Sequence, residues 1–184
     1  CRYNPGQFQN TNEIMGHQYD SKFGMPLPQL MQALARLKEK GAKRFGVHAM
    51  LSSCSLDEAY YPALARELFT LALHIREELG ITLSFIDLSG GIGIPYRPEE
   101  RAVNIFAIGE GVRQVYDELL TQNGISLDIY TEMGRYITAP YGHLLTTAIG
   151  EKHIYKEYVG VDATACDLMR PAMYGAYHEI TVLG

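Results

Sequence analysis

The sequence predicts an α/β fold built from consecutive βα units. Two observations support the prediction: apolar segments of strand length alternate with amphipathic segments of helix length, and glycine or polar residues follow the strand segments. Strands that are joined by such helices pair in parallel through right-handed crossovers. A third observation, a run rich in β-branched and aromatic residues from residue 143 onward, indicates a second, β-rich domain.

The first part of the chain supplies two units. The opening "CRYNPG" is interpreted as the end of a strand. Residues 29–41, "QLMQALARLKEKG", are predicted to form a helix that ends at Gly41, and residues 44–51, "RFGVHAML", a buried strand. Residues 56–80 are predicted to form a second long helix that tolerates Pro62 near its start.

The middle of the chain repeats the pattern. Residues 82–88, "TLSFIDL", and residues 126–132, "SLDIYTE", are predicted to be strands, with a helix over residues 104–124 between them. "MGRYITAPYG" follows as a loop or short helix. "HLLTTAIGEKH" at 143–153 is predicted to be a strand of the β-rich domain, and the final "HEITVLG" is also strand-like.

About four strand units make roughly half of a (β/α)8 barrel. The residues after the strands would lie on the rim where such barrels bind ligands, although an open doubly wound sheet also binds ligands at the carboxyl ends of its strands. Half a barrel leaves unpaired sheet edges and an exposed apolar face. We therefore expect a fragment, cut at both ends, whose other half comes from upstream residues or from another chain.

Composition narrows the class of function. The chain has 184 residues, of which 47% are hydrophobic, so it can bury one sizeable core. Its net charge of -5 argues against a nucleic-acid partner. No membrane partner is expected, because no apolar stretch reaches the ~18 residues that span a bilayer. The three cysteines lack metal-ligand spacing, which predicts no metal site and favours a reducing cytoplasm.

The glycine-rich stretch "DLSGGIGIPY" at 87–96 follows a predicted strand. Gly90, Gly91 and Gly93 leave backbone N–H groups unobstructed by Cβ atoms, which suits a phosphate. The alternative is a strained βα turn whose glycines supply positive φ and bind nothing. The dinucleotide-binding fingerprint is excluded, because the G-x-G-x-x-G spacing fails and Pro95 follows.

The stretch "TEMGRY" at 131–136 also follows a strand. The carboxylate of Glu132 could hold a protonated ring nitrogen, while the Gly134 N–H and Arg135 could hold an anion. The alternative is an ion pair between Glu132 and Arg135 that closes the loop.

Two further stretches carry polar residues with alternative explanations. In "GVHAMLSSC", His48 is by default a core histidine with satisfied hydrogen bonds, and Ser52 and Ser53 could cap the next helix. In "CDLMRPAMYGAYH", Arg170 precedes Pro171 and is therefore predicted to lie outside a regular helix. Its guanidinium suits the carboxylate of a substrate, or alternatively a surface ion pair.

Taken in order, these motifs closely resemble those of the diaminopimelate decarboxylases: "RYNPG", "SKFGM", "GVHAMLSS", "DLSGGIGIPY", "TEMGRY" and "LMRPAMYGAYH". Members of that family are pyridoxal-phosphate enzymes of the alanine-racemase-like fold, a (β/α)8 barrel followed by a β domain. The resemblance covers essentially the whole chain. It implies that residues 1–142 are the second half of the pyridoxal-phosphate-binding barrel and that residues 143–184 begin the C-terminal β domain.

The resemblance also implies roles for individual residues. The glycine backbone would hold the cofactor phosphate, and Glu132 the pyridinium nitrogen. Arg170 would hold the distal carboxylate of the substrate. The implied cofactor-binding residues are His48, Met50, Ser53, Gly90, Gly91, Gly93, Glu132, Gly134 and Arg135, and the implied substrate-binding residues are Arg135, Arg170 and Tyr174.

This chain departs from the family pattern in several places. The family has H-x-H-x-G-S where this chain has "HAMLSS", so Met50 replaces the histidine that stacks on the cofactor ring and His48 matches the outer histidine. Met133 stands where the family prefers proline. The Schiff-base lysine, which lies near the first barrel strand in this family, and the later cysteine motif are absent. Lys22 is not that lysine, because its flanking residues match a different, non-covalent motif. The chain alone is therefore predicted to be inactive.

The activity that the resemblance implies is decarboxylation of meso-2,6-diaminopimelate to L-lysine by a cytoplasmic homodimer. A decarboxylase of D-lysine, D-ornithine or another basic amino acid is the alternative within the class, and the presence of both Arg135 and Arg170 favours diaminopimelate. The alternative from another class is a catalytically inactive homologue that binds a partner enzyme.

Overall fold

The centre of the fold is a parallel sheet. The computed structural model describes residues 1–8 and 20–183, and its three-stranded sheet has the order β1-β2-β3, with β1 at Gly46–His48, β2 at Phe85–Asp87 and β3 at Asp128–Tyr130. The last residues of the three strands pair at one level. The parallel βα arrangement predicted from the sequence is confirmed.

The start of the chain adds a further segment to this sheet. The Tyr3 N–H donates to the His48 carbonyl at 2.7 Å, and the His48 N–H donates to the Cys1 carbonyl at 2.9 Å. Arg2 and His48 form a parallel bridge. The interpretation of "CRYNPG" as the end of a strand is therefore confirmed.

Three helices connect the strands: α1 at Leu27–Glu39, α2 at Tyr60–Leu79 and α3 at Ile105–Leu119. Asn104 caps α3, because its side chain accepts hydrogen bonds from the N–H groups of Phe106 and Ala107. On α2, Arg66 makes a bidentate contact with Glu118 of α3 at 2.7 and 2.6 Å. None of the helices in the described part of the chain is long and apolar enough to cross a membrane.

The helix α2 begins four residues later than predicted. Ser55 accepts a hydrogen bond from the Asp57 N–H at 3.1 Å, and Asp57 accepts one from the Ala59 N–H at 2.9 Å. These side chains stabilise a turn in place of the first helical turn. The predicted capping of α2 by Ser52 or Ser53 is wrong, since the N-cap is Ala59 and no side chain caps it.

The core lies between the sheet and the helices that flank it. Val47 and Ile86, the middle residues of β1 and β2, are fully buried. The apolar face of α2 packs with them in one cluster. The buried residues of α2 are Tyr60, Tyr61, Leu64, Ala65, Leu68, Phe69, Leu71, Ala72 and Ile75.

The rest of the chain is largely exposed. A short helix α4 (Gly134–Thr138) follows β3, and an antiparallel hairpin of β4 (Ala148–His153) and β5 (Glu157–Val161) comes next. The strand-like interpretation of "HEITVLG" is wrong, because no strand is formed over residues 178–183.

Arg170 lies inside helix α5 (Met169–Tyr174), which contradicts the prediction that it stands outside a regular helix. Pro171 is the third residue of this helix. The first N–H groups of a helix have no partner within it, so the missing N–H of proline costs little there.

Candidate functional site

Three polar side chains meet at the carboxyl ends of the parallel strands. His48 ends β1, Asp87 ends β2, and Glu132 stands two residues after β3. One ligand atom from each lies within 4.8 Å of the others. The set could hold a cation, although the Glu132 carboxylate is exposed. Asp87 was missed in the sequence, where its only signal was its place between a strand and the glycine run.

His48 is half-buried, and its Nε2 atom is buried without a hydrogen-bond partner in the described part of the chain. The default expectation of a core histidine with satisfied hydrogen bonds is therefore wrong. One nitrogen of the ring instead lies within 4.8 Å of a carboxylate oxygen of Asp87 and of Glu132.

The glycine run allows three loops to approach one another closely. A Cβ atom at Gly90 would lie 2.6 Å from the Glu132 carbonyl oxygen, and one at Gly91 would lie 2.8 Å from the Ser52 carbonyl oxygen. A Cβ at Gly93 would lie 2.7 Å from the carbonyl carbon of Cys54. Of the three glycines only Gly91 has a positive φ, 109°, so close approach explains the run better than backbone conformation alone.

Hydrogen bonds hold the glycine loop in place. The buried Tyr61 hydroxyl lies 2.6 Å from the Ser89 carbonyl oxygen and 3.0 Å from that of Gly90. The Glu132 N–H also donates to the Ser89 carbonyl, at 2.9 Å. Burial above all raises the pKa of Tyr61, and the Tyr60 hydroxyl and the Asp87 and Glu132 carboxylates add to the rise. The hydroxyl therefore stays protonated and can donate to the loop.

Two backbone donors of the loop remain available. Within the described residues the N–H groups of Gly90 and Gly91 donate to no acceptor. The Gly93 N–H donates to the Ser55 carbonyl at 2.8 Å, and the Gly134 N–H donates to the Glu132 carbonyl at 2.9 Å. An anion at this loop would therefore be bound by the first two glycines rather than by Gly93 or Gly134.

A cavity of about 170 Å³ opens beside this loop. All the cofactor-binding residues implied by the sequence line it except His48 and Gly93. Met50, and not His48, is thus on the cavity wall. The lining residues are Met50, Ser53, Cys54, Gly90, Gly91, Ile92, Glu132, Met133, Gly134 and Arg135.

Arg135 provides an unpaired positive charge on the cavity wall. Its Nη1 atom is buried and has no hydrogen-bond partner in residues 1–8 and 20–183. No ion pair joins it to Glu132 within the same residues, which contradicts the alternative of a Glu–Arg pair closing the loop. A buried guanidinium N–H without an acceptor is costly, so the site has the chemistry of an anion-binding site.

Arg170 lies in a second cluster, formed with the loop that follows the glycine run. Its Nη1 atom is 3.1 Å from His178 Nε2, and its guanidinium lies over the Tyr96 ring, 4.7 Å from the centroid. The Tyr96 and His178 rings meet edge to face at 5.1 Å. No carboxylate in the described part of the chain pairs with Arg170, so the surface ion pair is wrong. Tyr174 lies in the same helix and is exposed.

Comparison with known proteins identifies the family. Residues 1–139 match the family model described as pyridoxal-dependent decarboxylase, pyridoxal binding domain. The chain belongs to this family. Pyridoxal phosphate is accordingly the cofactor that membership implies, and the resemblance found in the motifs is confirmed.

Individual relatives agree with this assignment. The chain is 34% identical over 168 residues to Protein TabA of Pseudomonas amygdali pv. tabaci, covering 91% of this chain and 40% of that one. It is 34% identical over 163 residues to a diaminopimelate decarboxylase of Methanothermobacter thermautotrophicus, covering 88% of this chain and 38% of the relative. The chain therefore spans about two fifths of the length of these relatives.

A solved structure shares the architecture. The crystal structure of diaminopimelate decarboxylase from Helicobacter pylori complexed with L-lysine is 28% identical, with a TM-score of 0.82. The match covers 97% of this chain and 43% of that one. The α/β arrangement is thus that of a pyridoxal-dependent decarboxylase.

Proposed function

We propose that the cavity beside the glycine run holds the phosphate end of pyridoxal phosphate. The observation that supports this most directly is the buried, unpaired Nη1 of Arg135 on the same wall as the unused N–H groups of Gly90 and Gly91. A phosphate accepts hydrogen bonds from both kinds of donor. Ligand sites usually measure about 300–1,000 Å³, so a cavity of about 170 Å³ fits one end of the cofactor.

The remaining implied residues suit the ring. Glu132 lines the cavity and offers a carboxylate that can hold the proton of the pyridinium nitrogen. Met50 lines the cavity and offers a thioether to the face of the ring. When bound, the cofactor supplies an electron sink for the bond broken at the substrate.

The substrate that this arrangement favours is meso-2,6-diaminopimelate, which a full-length protein carrying these residues would convert to L-lysine. Arg170 has no acid partner in the described residues and can bind a carboxylate bidentately. Tyr174 is exposed on the same helix. The relatives named as diaminopimelate decarboxylases support this choice.

The larger organisation is proposed on the same basis. Residues 1–142 form the second half of a (β/α)8 barrel, residues 143–184 begin a β domain, and the whole protein acts as a homodimer. The exposed hairpin β4–β5 supports the domain division. No lysine among the described residues lines the cavity, and Lys22 lies over the Phe23 ring. The lysine that binds the cofactor covalently is therefore expected outside these 184 residues.

Turnover assays of the full-length protein test the substrate. We expect L-lysine and CO2 from meso-diaminopimelate, and no comparable turnover of D-lysine or D-ornithine. Faster turnover of either alternative would favour the second type of decarboxylase, and no turnover of any would favour an inactive, partner-binding homologue.

Reductive trapping tests the cofactor site independently. The full-length protein is incubated with pyridoxal phosphate, reduced with borohydride and mapped by mass spectrometry. We expect a label on a lysine outside residues 1–184, and an Arg135→Gln variant that takes up less cofactor than an Arg97→Gln control. A label on a lysine within these residues would contradict the proposed placement.

A further inference from the structure

Arg170 is held in one orientation by two different contacts. The Tyr96 ring supports one face of its guanidinium, and His178 Nε2 contacts its Nη1 edge at 3.1 Å. The Tyr96 ring also packs against His178, so the two supports stabilise each other. Next to them, Arg97 lies over the Tyr177 ring at 4.5 Å. A flexible arginine side chain is thereby ordered before any ligand arrives.

The contact between Arg170 and His178 determines which form of the histidine is present. A guanidinium has only N–H donors and cannot accept a hydrogen bond. His178 Nε2 must therefore be unprotonated, with the ring proton on Nδ1. Because an imidazolium would carry a proton on both nitrogens, the contact exists only while His178 is neutral.

The surroundings of His178 favour the neutral form. Partial burial lowers its pKa below the ordinary value of 6.5, and the charges of Arg170 and Arg135 lower it further. The Tyr96 ring packs edge to face against His178. No ion pair or hydrogen bond joins a carboxylate to His178 in the described residues. The site therefore contains two guanidinium groups and a neutral acceptor.

We propose that His178 is a positioning residue for the substrate: its neutral imidazole orients Arg170, which leaves the other guanidinium N–H groups free to bind the distal carboxylate. This inference depends on the proposed function for the identity of that carboxylate. His178 itself contacts Arg170 and not the reacting atoms. Removing it lowers the affinity for the substrate without changing the chemical step.

Two matched variants of the full-length protein test the proposal. His178→Phe keeps a ring against Tyr96 but removes the acceptor, and His178→Gln keeps an acceptor that does not titrate. We expect His178→Phe to raise KM for meso-diaminopimelate about tenfold with kcat unchanged, the effect of losing a hydrogen bond to a charged group. His178→Gln keeps a KM close to that of the wild type. A wild-type KM for His178→Phe, or an equal loss of kcat, would overturn the proposal.

The pH profile gives a readout that a purely structural role would not change. In the wild type, KM rises as the pH falls through the lowered pKa of His178, because the imidazolium can no longer accept from Arg170. In His178→Gln this rise is absent. An identical acid-side rise in both proteins would contradict the assigned role.

A direct measurement separates this inference from the proposed function. Nitrogen NMR of the full-length protein should show His178 as the Nδ1–H tautomer at neutral pH, with a pKa that rises when Arg170 is replaced in Arg170→Gln. This result is expected even if meso-diaminopimelate is not the substrate. An unchanged pKa for His178 in Arg170→Gln, or the Nε2–H tautomer in the wild type, would refute the contact itself.

Discussion

Replacing Gly90 by alanine should push the glycine loop away from the loop after β3. The new Cβ would lie 2.6 Å from the Glu132 carbonyl oxygen, a distance well inside van der Waals contact. The backbone fixes the position of the alanine Cβ, and the carbonyl oxygen is itself backbone, so no change of rotamer can relieve the clash. Gly90 does not have a positive φ, and the whole cost therefore comes from this contact. Overpacking of this kind costs about 1–3 kcal/mol.

The assay is urea denaturation of the Gly90→Ala variant against the wild type. We expect the free energy of unfolding to fall by about 1–3 kcal/mol, seen as a lower midpoint with an unchanged m-value. Cofactor affinity should fall as well, because the displaced loop carries the unused Gly90 N–H and contacts Glu132.

Gly109→Ala is the matched control. Gly109 lies in α3, and a Cβ there would meet no atom within 4 Å. Alanine in a helix interior should raise the stability by about 0.5–1 kcal/mol and leave cofactor affinity unchanged. If Gly90→Ala proved as stable as Gly109→Ala, the close approach of the two loops would be refuted.

Two further outcomes follow from single hydroxyl groups. Tyr61→Phe removes the donor to the Ser89 and Gly90 carbonyls, and Tyr116→Phe removes a hydroxyl that bonds both the N–H and the carbonyl of Leu127. In urea denaturation, each variant should lower the free energy of unfolding by about 1–3 kcal/mol. Only Tyr61→Phe should also weaken the binding of pyridoxal phosphate. Equal binding by both variants would count against the role of Tyr61. Burial, helped by Glu67, raises the pKa of Tyr3 from 10.0 to about 12. The unfolded chain therefore loses this proton first, so the free energy of unfolding should decrease as the pH rises from 10.0 to about 12, and a Tyr3→Phe variant should lack this part of the decrease.

The positions of the strands could be read from the sequence, but their lengths could not. Eight residues were predicted for the first buried strand, and only Gly46–His48 pair in the sheet. Ala49 and Leu51 are just as buried, although they lie beyond the paired residues. An apolar run reports burial, and hydrogen-bonded pairing depends on where the neighbouring strand ends.

The candidate site also combines features that the sequence predicted with features that only the structure revealed. The motifs predicted which loops meet at the cavity, because the carboxyl ends of parallel strands share one edge of the sheet. They did not reveal Asp87 or the role of His178. Asp87 acquires its neighbours only when β1 and β3 flank β2, and His178 acquires its partners only when the segment after α5 packs against Tyr96.

The sequence by itself determined the order of βα units, the family and the polar residues that follow the strands, since periodicity and motif spacing are local properties of the chain. Only the tertiary structure decided that Gly90 faces a carbonyl of Glu132, that Arg135 lacks an acid partner and that Arg170 bonds His178. Each of these depends on distances of a few ångströms in the folded chain, whether the residues lie 42 positions apart, as Gly90 and Glu132 do, or eight apart, as Arg170 and His178 do. Packing sets such distances, and no local pattern records them.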